Sequence, residues 1–234
     1  MKFLEKMLHN DRIIMYNAGD FSNVTDELVA AVNWPKGVAM LSFNFEPFAP
    51  AGGCVKHILK NDYVIRYMFG AKTSDLTPVG KEMKSSTIVA RPPKNTNEAL
   101  SVTRATLCKD SASKRKQKGP AYRKELNRYL AGVKSGKVKS VLLFKNSRNV
   151  GIASMMDGVR LDGKKSSTFT WLWLDKRLPK AEYGDALFKA TKWAKENAQE
   201  YMGSANFDYD KEAQKGDSRF GLKPYRIYFA HKGK

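Results

Sequence analysis

The chain predicts a mixed α/β protein, and three observations lead there. From Ser85 onward, short β-branched and aromatic runs are separated by longer segments with apolar residues at helical spacing. The order they form is β-α-α-β-β-β-α-β-(turn or helix)-β, a mixed unit rather than a repeated βαβ. The first third reads instead as strands broken by turn formers, which predicts a strand-rich N-terminal region at 1–84, of unassigned role, ahead of a domain at 85–234. At 234 residues with 42% hydrophobic content there is enough apolar material for a core, which excludes a wholly disordered chain.

The elements follow in order. Arg12–Tyr16 reads as a short strand and Asn23–Ala31 as a short helix opened by Asn or Thr. Val38–Phe45 and Tyr63–Phe69 carry strand patterns; Pro47, Pro50, Gly52 and Gly53 close the first of them. The turn formers of Thr73–Gly80 precede the apolar run Ser86–Arg91, which Pro92-Pro93 stops. Asn95–Leu107 and Tyr122–Val133 read as helices. Val138–Phe144 and Val150–Met156 flank the turn Asn146–Asn149 and form a hairpin, and Ser167–Leu174 is the next strand. In this last strand Phe169, Trp171 and Trp173 alternate, which predicts one shared face, read as core rather than as a base-stacking platform. Tyr183–Tyr201 spaces Ala186, Leu187, Ala190, Trp193 and Ala194 as a long helix. Ala205–Tyr209 and Tyr225–His231 are the final strands.

Charge narrows the function classes. There are 42 Lys and Arg against 23 Asp and Glu, a formal balance of +19, and such a field draws polyanions. Between Ser101 and Arg148 fourteen basic residues face only Asp110 and Glu125. The densest part, Lys114, Arg115, Lys116 and Lys118 before Gly119-Pro120, reads as a loop: either an arm for nucleic acid or another polyanion, or a solvated tether. Two cysteines and three histidines exclude a disulfide framework and a four-cysteine zinc site, and no metal is expected. Cys54 and His57 have the spacing of a nucleophile pair but no orienting partner. The N-terminus has no secretory signal pattern and no run reaches about 18 apolar residues, so no membrane span and a cytoplasmic location are expected.

The element order resembles the GCN5-related N-acetyltransferase (GNAT) superfamily over Ser85–Lys234, roughly two thirds of the chain. Its strand Ser167–Leu174 stands where the family's central strand splays from its neighbour to receive acetyl-CoA. The family's Gln/Arg-x-x-Gly-x-Gly/Ala loop is matched by Ala181-Glu182-Tyr183-Gly184-Asp185-Ala186. Gly184 and Ala186 are retained, and Ala181 replaces the Gln or Arg. Lys176, Arg177 and Lys180 stand nearby to supply charge. Amides at a helix N-terminus suit a pyrophosphate on physical grounds alone, and an ordinary strand–turn–helix is the plainer reading. The resemblance places acetyl-CoA, as cosubstrate, at Trp173, Leu174, Lys180, Ala181, Glu182, Tyr183, Gly184, Asp185 and Ala186.

Further along, the family's Asn-x-x-Ala-x-x-x-Tyr-x-x-x-Gly-Phe is matched by Asp210, Ala213, Asp217, Gly221 and Leu222, with only Ala213 and Gly221 identical. Asp217 stands in place of the tyrosine that protonates the departing thiolate. An ordinary aspartate is ionised at neutral pH and is a poor acid, which leaves Tyr209 and Tyr225 beside it as catalytic candidates. The resemblance implies an acyl-CoA-dependent N-acyltransferase: an amine of a small molecule or protein attacks the thioester carbonyl, and a base or water takes the ammonium proton. The contrasting expectation is a non-catalytic nucleic-acid- or ribosome-associated protein that uses the basic 101–148 segment.

Overall fold

The structure is a computed structural model, and it describes residues 5–9, 13–19, 40–45, 63–109, 127, 129–160, 163–207 and 210–231. The described strands are β1 (Glu5–His9), β2 (Ile13–Gly19), β3 (Met40–Phe45), β4 (Tyr63–Lys72), β5 (Ile88–Arg91), β6 (Val138–Lys145), β7 (Arg148–Val159), β8 (Lys165–Leu174), β9 (Tyr201–Phe207) and β10 (Lys223–His231). The helices are α1 (Thr96–Lys109), α2 (Lys180–Asn197) and α3 (Lys211–Phe220), with a further helical segment at 129–134. From β5 onward the order is β-α-α-β-β-β-α-β-α-β, and the "turn or helix" before the last strand is the helix α3. The helix expected at Asn23–Ala31 lies outside the described residues. The sequence pattern does not predict β1: Glu-Lys-Met-Leu-His carries charge through its short length, and it pairs antiparallel with β2 with a register shift between Lys6 and Leu8.

Two compact units divide the chain, Met1–Ala71 with Gly203–Lys234, and Lys72–Met202. This division differs from a break at 84/85. The last strand explains it, because β10 pairs antiparallel with both β3 and β4 and so ties the C-terminus to the N-terminal strands. In that first unit β2 and β3 run parallel while β1 and β2 run antiparallel. Phe69, Phe220, Leu222 and Ile227 are buried in it.

In the second unit β5, β6, β7 and β8 form an antiparallel sheet in that order. The pleat sends alternate side chains to opposite faces. Val141, Leu143, Ala153 and Leu174 pack with Ala186 and Ala190 of α2, joined by Phe169, Leu187 and Trp193. On the other face Val138 packs with Ala99 of α1 and with Val133. Met155 pairs with Phe169 but Ser154 pairs with Trp171, so Thr170 is an extra residue, a β-bulge. The bulge interrupts the alternation. Phe169 faces α2, whereas the Trp171 indole N–H donates to Thr106 Oγ1 of α1 at 3.2 Å. The three aromatics therefore do not share one face.

α2 begins at Lys180 rather than Tyr183 and ends at Asn197, and Tyr201 opens a strand. Lys180 and Glu182, with only the small Ala181 between them, hide the first turn from an apolar pattern, because that turn is mostly solvent-facing. The segment 73–88 lies along α2 and is tied to it by side chains. Val79 N donates to Thr191 Oγ1 at 2.9 Å, Met83 N to Asp185 Oδ1 at 2.9 Å, and Lys195 Nζ to Leu76 O at 2.5 Å. Lys189 Nζ reaches Ile88 O, Ser86 Oγ and Asp185 Oδ2 at 2.6, 2.7 and 2.9 Å. Burial would raise the Asp185 pKa, but hydrogen bonds from Ser86, Met83 N and Lys189 outweigh it and hold the carboxyl below its ordinary value.

Candidate functional site

The turn between β8 and α2 is organised by a buried carboxylate. Asp175 follows Leu174, its amide donates to Val150 O at 2.9 Å, and its own carbonyl accepts from Leu178 N at 3.1 Å. Its Oδ1 accepts from Arg177 N at 3.1 Å and Arg177 Nε at 2.9 Å. Its Oδ2 accepts from Arg177 Nη2 at 2.9 Å and from Arg148 Nη2. The Arg177 hydrogen bonds outweigh burial and hold this carboxyl far below the usual range. Both arginine side chains remain mostly exposed, 59% and 72%, so their outer faces are open to solvent.

Pro179 sets the entry to α2. Proline has fixed φ and no N–H to satisfy, and no side chain caps this end. The amides of the first turn point out of the helix with its partial positive charge. Glu182 in that turn is held by Lys145 Nζ at 2.6 and 2.7 Å. Lys145 and Arg148 come from the two sides of the tight β6–β7 turn, where Asn146 and Ser147 both adopt positive φ. Five basic residues, Lys145, Arg148, Lys176, Arg177 and Lys180, thus collar one uncapped helix end, against the carboxylates of Asp175 and Glu182. Lys176, Arg177 and Lys180 are legible in the sequence. Lys145 and Arg148 are not, since only the antiparallel register brings the hairpin turn beside α2; the paired β6 and β7 patterns are the signal that could have found them.

The structure separates the nine residues to which the resemblance assigns acetyl-CoA. Lys180, Ala181 and Glu182 form the first turn of α2 at the collar. Tyr183 packs partly against the core, and Leu174 and Ala186 are buried within it. Asp185 is fully buried on the segment 73–88. Gly184 lies inside the helix rather than in a loop, and its carbonyl accepts from Lys81 N at 3.4 Å. Trp173 pairs with Ile152, on the α1 face of the sheet. Leu174, Asp185 and Ala186 therefore shape the turn, and the groups facing solvent belong to residues 176–182.

Of the catalytic candidates, Tyr209 lies outside the described residues, as do Lys114, Arg115, Lys116 and Lys118. Tyr225 is half-buried in β10, with the Arg226 guanidinium 5.3 Å from its ring centre. Asp217 belongs to α3 in the other unit. That helix is capped by Asp210, whose carboxylate accepts from Ala213 N at 3.1 Å, and closed by Gly221 at φ 102°. The Asp217 carboxyl is bonded by Ser204 Oγ and Asn206 Nδ2 of β9, both through Oδ2. Burial pushes its pKa up to about 7; the bonds from Ser204 and Asn206 lower it and the Asp210 charge raises it. An aspartate here is expected to be ionised at neutral pH unless its surroundings perturb it, and the direction of the shift is such a perturbation. Among the described residues no group of three or more His, Cys, Asp or Glu is placed to hold a metal ion, and no helix is long and apolar enough to cross a membrane.

Comparison with solved structures gives a functionally unknown conserved protein from Staphylococcus epidermidis ATCC 12228, at 12% identity and a TM-score of 0.54, covering 98% of this chain and 94% of that one. A GCN5-related N-acetyltransferase from Kribbella flavida matches at 15% identity and a TM-score of 0.44, over 83% of this chain and 69% of that one. A tandem GNAT protein from the clavulanic acid biosynthesis pathway matches at 10% identity and 0.47, over 85% and 66%. At these identities the first likeness speaks for the fold alone. No family model and no curated protein matches the chain.

Proposed function

We propose that the protein is an acyl-CoA-dependent N-acyltransferase, with acetyl-CoA as donor and an amine as acceptor. The supporting observation is the basic collar around the uncapped N-terminus of α2, set directly after strand β8 in a GNAT-ordered chain. Amide N–H groups, the helix dipole and five cations together suit a pyrophosphate. Bound acetyl-CoA would supply the thioester whose acyl group moves to the amine. In this reading the first turn of α2 holds the diphosphate, with Lys176 and Lys180 adding charge.

The test is calorimetric titration of the full chain with CoA, beside the variant Lys176→Glu/Lys180→Glu. Wild-type protein should bind and the variant should lose at least ten-fold in affinity with an unchanged melting curve. Absence of binding at millimolar CoA in the wild type overturns the reading. Equal binding by the variant moves the diphosphate away from the collar. Activity would be followed as free thiol released on mixing acetyl-CoA with panels of amines.

A further inference from the structure

The hairpin of β7 and β8 runs past β6 at one end of the sheet. β6 begins at Val138, which pairs with Met156, whereas β7 and β8 go on pairing through Asp157 with Ser167, Gly158 with Ser166 and Val159 with Lys165. Three residues of each strand, roughly 10 Å, therefore form a two-stranded ribbon beyond β6. Its turn is closed by Arg160 N donating to Lys164 O at 2.9 Å and Gly163 N to Arg160 O at 3.0 Å, with Gly163 at φ +79°. Its base is pinned by Asp157. That carboxylate accepts from Ser167 Oγ at 2.7 Å and Gln199 Nε2 at 3.0 Å, and it pairs with Lys139 Nζ at 2.5 Å.

The cations of the ribbon are held in place. The Arg160 guanidinium lies 4.4 Å from the centre of the Tyr201 ring. Lys164 Nζ lies 5.2 Å from the same centre and donates to the Tyr201 hydroxyl at 3.1 Å. Tyr201 is buried, and Lys164 and Lys165 are exposed. Lys134, Lys137, Lys139, Arg160, Lys164 and Lys165 all belong to this end of the sheet, against Asp157, Asp162 and Glu200, and Asp157 is already met by Lys139. Ordering a long side chain costs entropy on binding, and Arg160 and Lys164 have lost part of that freedom before any partner arrives. The ribbon and the collar stand at opposite ends of β7, so neither serves the other's site.

We propose that the tip of the β7–β8 ribbon docks on double-stranded DNA through its phosphates, with Arg160, Lys164 and Lys165 as the contacts. Charge comes first: the chain carries +19, and phosphate backbones draw such a field. Shape selects the duplex. The major groove of B-form DNA admits a two-stranded β-ribbon, whereas that of an RNA duplex is deep and narrow. A single strand would call for an exposed aromatic on which its bases could stack, and the Tyr201 ring is buried and carries Arg160 and Lys164 instead. An anionic bilayer would call for one apolar face, and the exposed Met156 and Val159 point to opposite sides of the pleat. Contacts to phosphate carry no sequence information, so the binding is independent of base sequence.

The experiment is fluorescence anisotropy of a labelled duplex of about 20 base pairs with the full chain, at salt concentrations from about 50 to 200 mM. Arg160→Ala/Lys164→Ala/Lys165→Ala should bind roughly ten-fold more weakly or worse at the lowest salt, and the slope of log K against log salt should fall by about 0.9 for each lost contact. The control Lys81→Ala/Lys84→Ala/Lys192→Ala removes the same charge from exposed positions elsewhere and should keep the wild-type slope. A second variant, Lys164→Glu/Lys165→Glu, leaves Arg160 in place and changes only exposed side chains, so it should abolish binding with an unchanged melting curve. A wild-type chain that does not bind the duplex at the lowest salt overturns the proposal. Equal losses in the ribbon and control variants overturn it too, because only the general field would then act. Tighter binding to the single strand than to the duplex, or retention on phosphatidylserine vesicles without binding to the duplex, rejects DNA duplex as the partner.

Discussion

A Cβ built on Gly80 would lie 2.2 Å from the carbonyl oxygen of Gly184, inside any permitted contact, and a tight 3.1 Å from the Phe188 amide nitrogen. Gly80 also holds φ at +109°, where L side chains are strained. The close approach lets Lys81 N reach the same carbonyl and lays the segment 73–88 flat on α2. Only Gly80 is required by this approach, and substitutions at the two glycines should have opposite signs.

Gly80→Ala should destabilise the protein by about 1–3 kcal/mol from backbone strain alone, with the overlap against the α2 backbone adding to it. Gly184→Ala meets nothing within 4 Å and sits in a helix interior, so it should stabilise by about 0.5–1 kcal/mol. Urea unfolding of both variants measures this. A stable Gly80→Ala protein would mean that the segment does not lie on α2 as described.

What the sequence shows and hides follows from where each signal originates. β6, β7 and β8 are legible because their alternation is local, and α2 is legible because Ala186, Ala190 and Ala194 mark a buried stripe. The bulge at Thr170 is not legible: it exists only in the pairing of β8 with Ser154 and Met155. The collar is half legible for the same reason. Lys176 and Lys180 adjoin the motif in sequence, whereas Lys145 and Arg148 arrive through strand register. The pKa of Asp217 is hidden most completely, since it depends on burial and on neutral partners contributed by β9.

Asp217 should make stability fall as pH rises. Its folded pKa of about 7 lies above the unfolded value of about 3.9, so the native state binds more protons between the two. Its contribution is most favourable below about pH 4, declines through pH 4–7 and is lowest above 7, with each unit of separation worth about 1.4 kcal/mol. Asp217→Asn keeps acceptors for Ser204 and Asn206 and removes the titration. Chemical denaturation from pH 4 to 8 should show the variant gaining stability relative to wild type as pH rises. A pH-independent difference would rule out a raised pKa at this position.

Asp175 should act in the opposite direction and at lower pH. Its folded pKa is depressed by Arg177 and Arg148, so its stabilisation is present above the unfolded value of about 3.9 and is lost as pH falls below that. Asp175→Asn keeps the geometry but removes the charge. The loss should be about 1–3 kcal/mol at pH 7, because the carboxylate accepts backbone and guanidinium donors from a buried position. It should shrink in acid, as wild type itself loses the contribution. Equal losses at pH 7 and pH 2.5 would assign the effect to packing instead.

Glu182 and a bound diphosphate would compete for Lys145. In the free protein Lys145 Nζ is held at 2.6 and 2.7 Å by the Glu182 carboxylate, which also places a negative charge in the first turn of α2. A carboxylate there favours the helix dipole but repels a phosphate arriving at the same amides. Glu182→Gln therefore removes a repulsion and releases Lys145 toward the ligand. CoA affinity should rise by roughly three- to ten-fold, equivalent to about 0.7–1.4 kcal/mol. Lys145→Ala should weaken CoA binding by a similar factor. The two effects should shrink together as salt is raised from about 50 to 300 mM, because the charges are partly exposed and screened. Folding should change little in either variant, since a partly exposed ion pair contributes on the order of 1 kcal/mol. Titration calorimetry of both variants at two salt concentrations reads all of this. Weaker binding by Glu182→Gln would place Glu182 among the ligand's own contacts. No change in either variant would remove the hairpin turn from the collar.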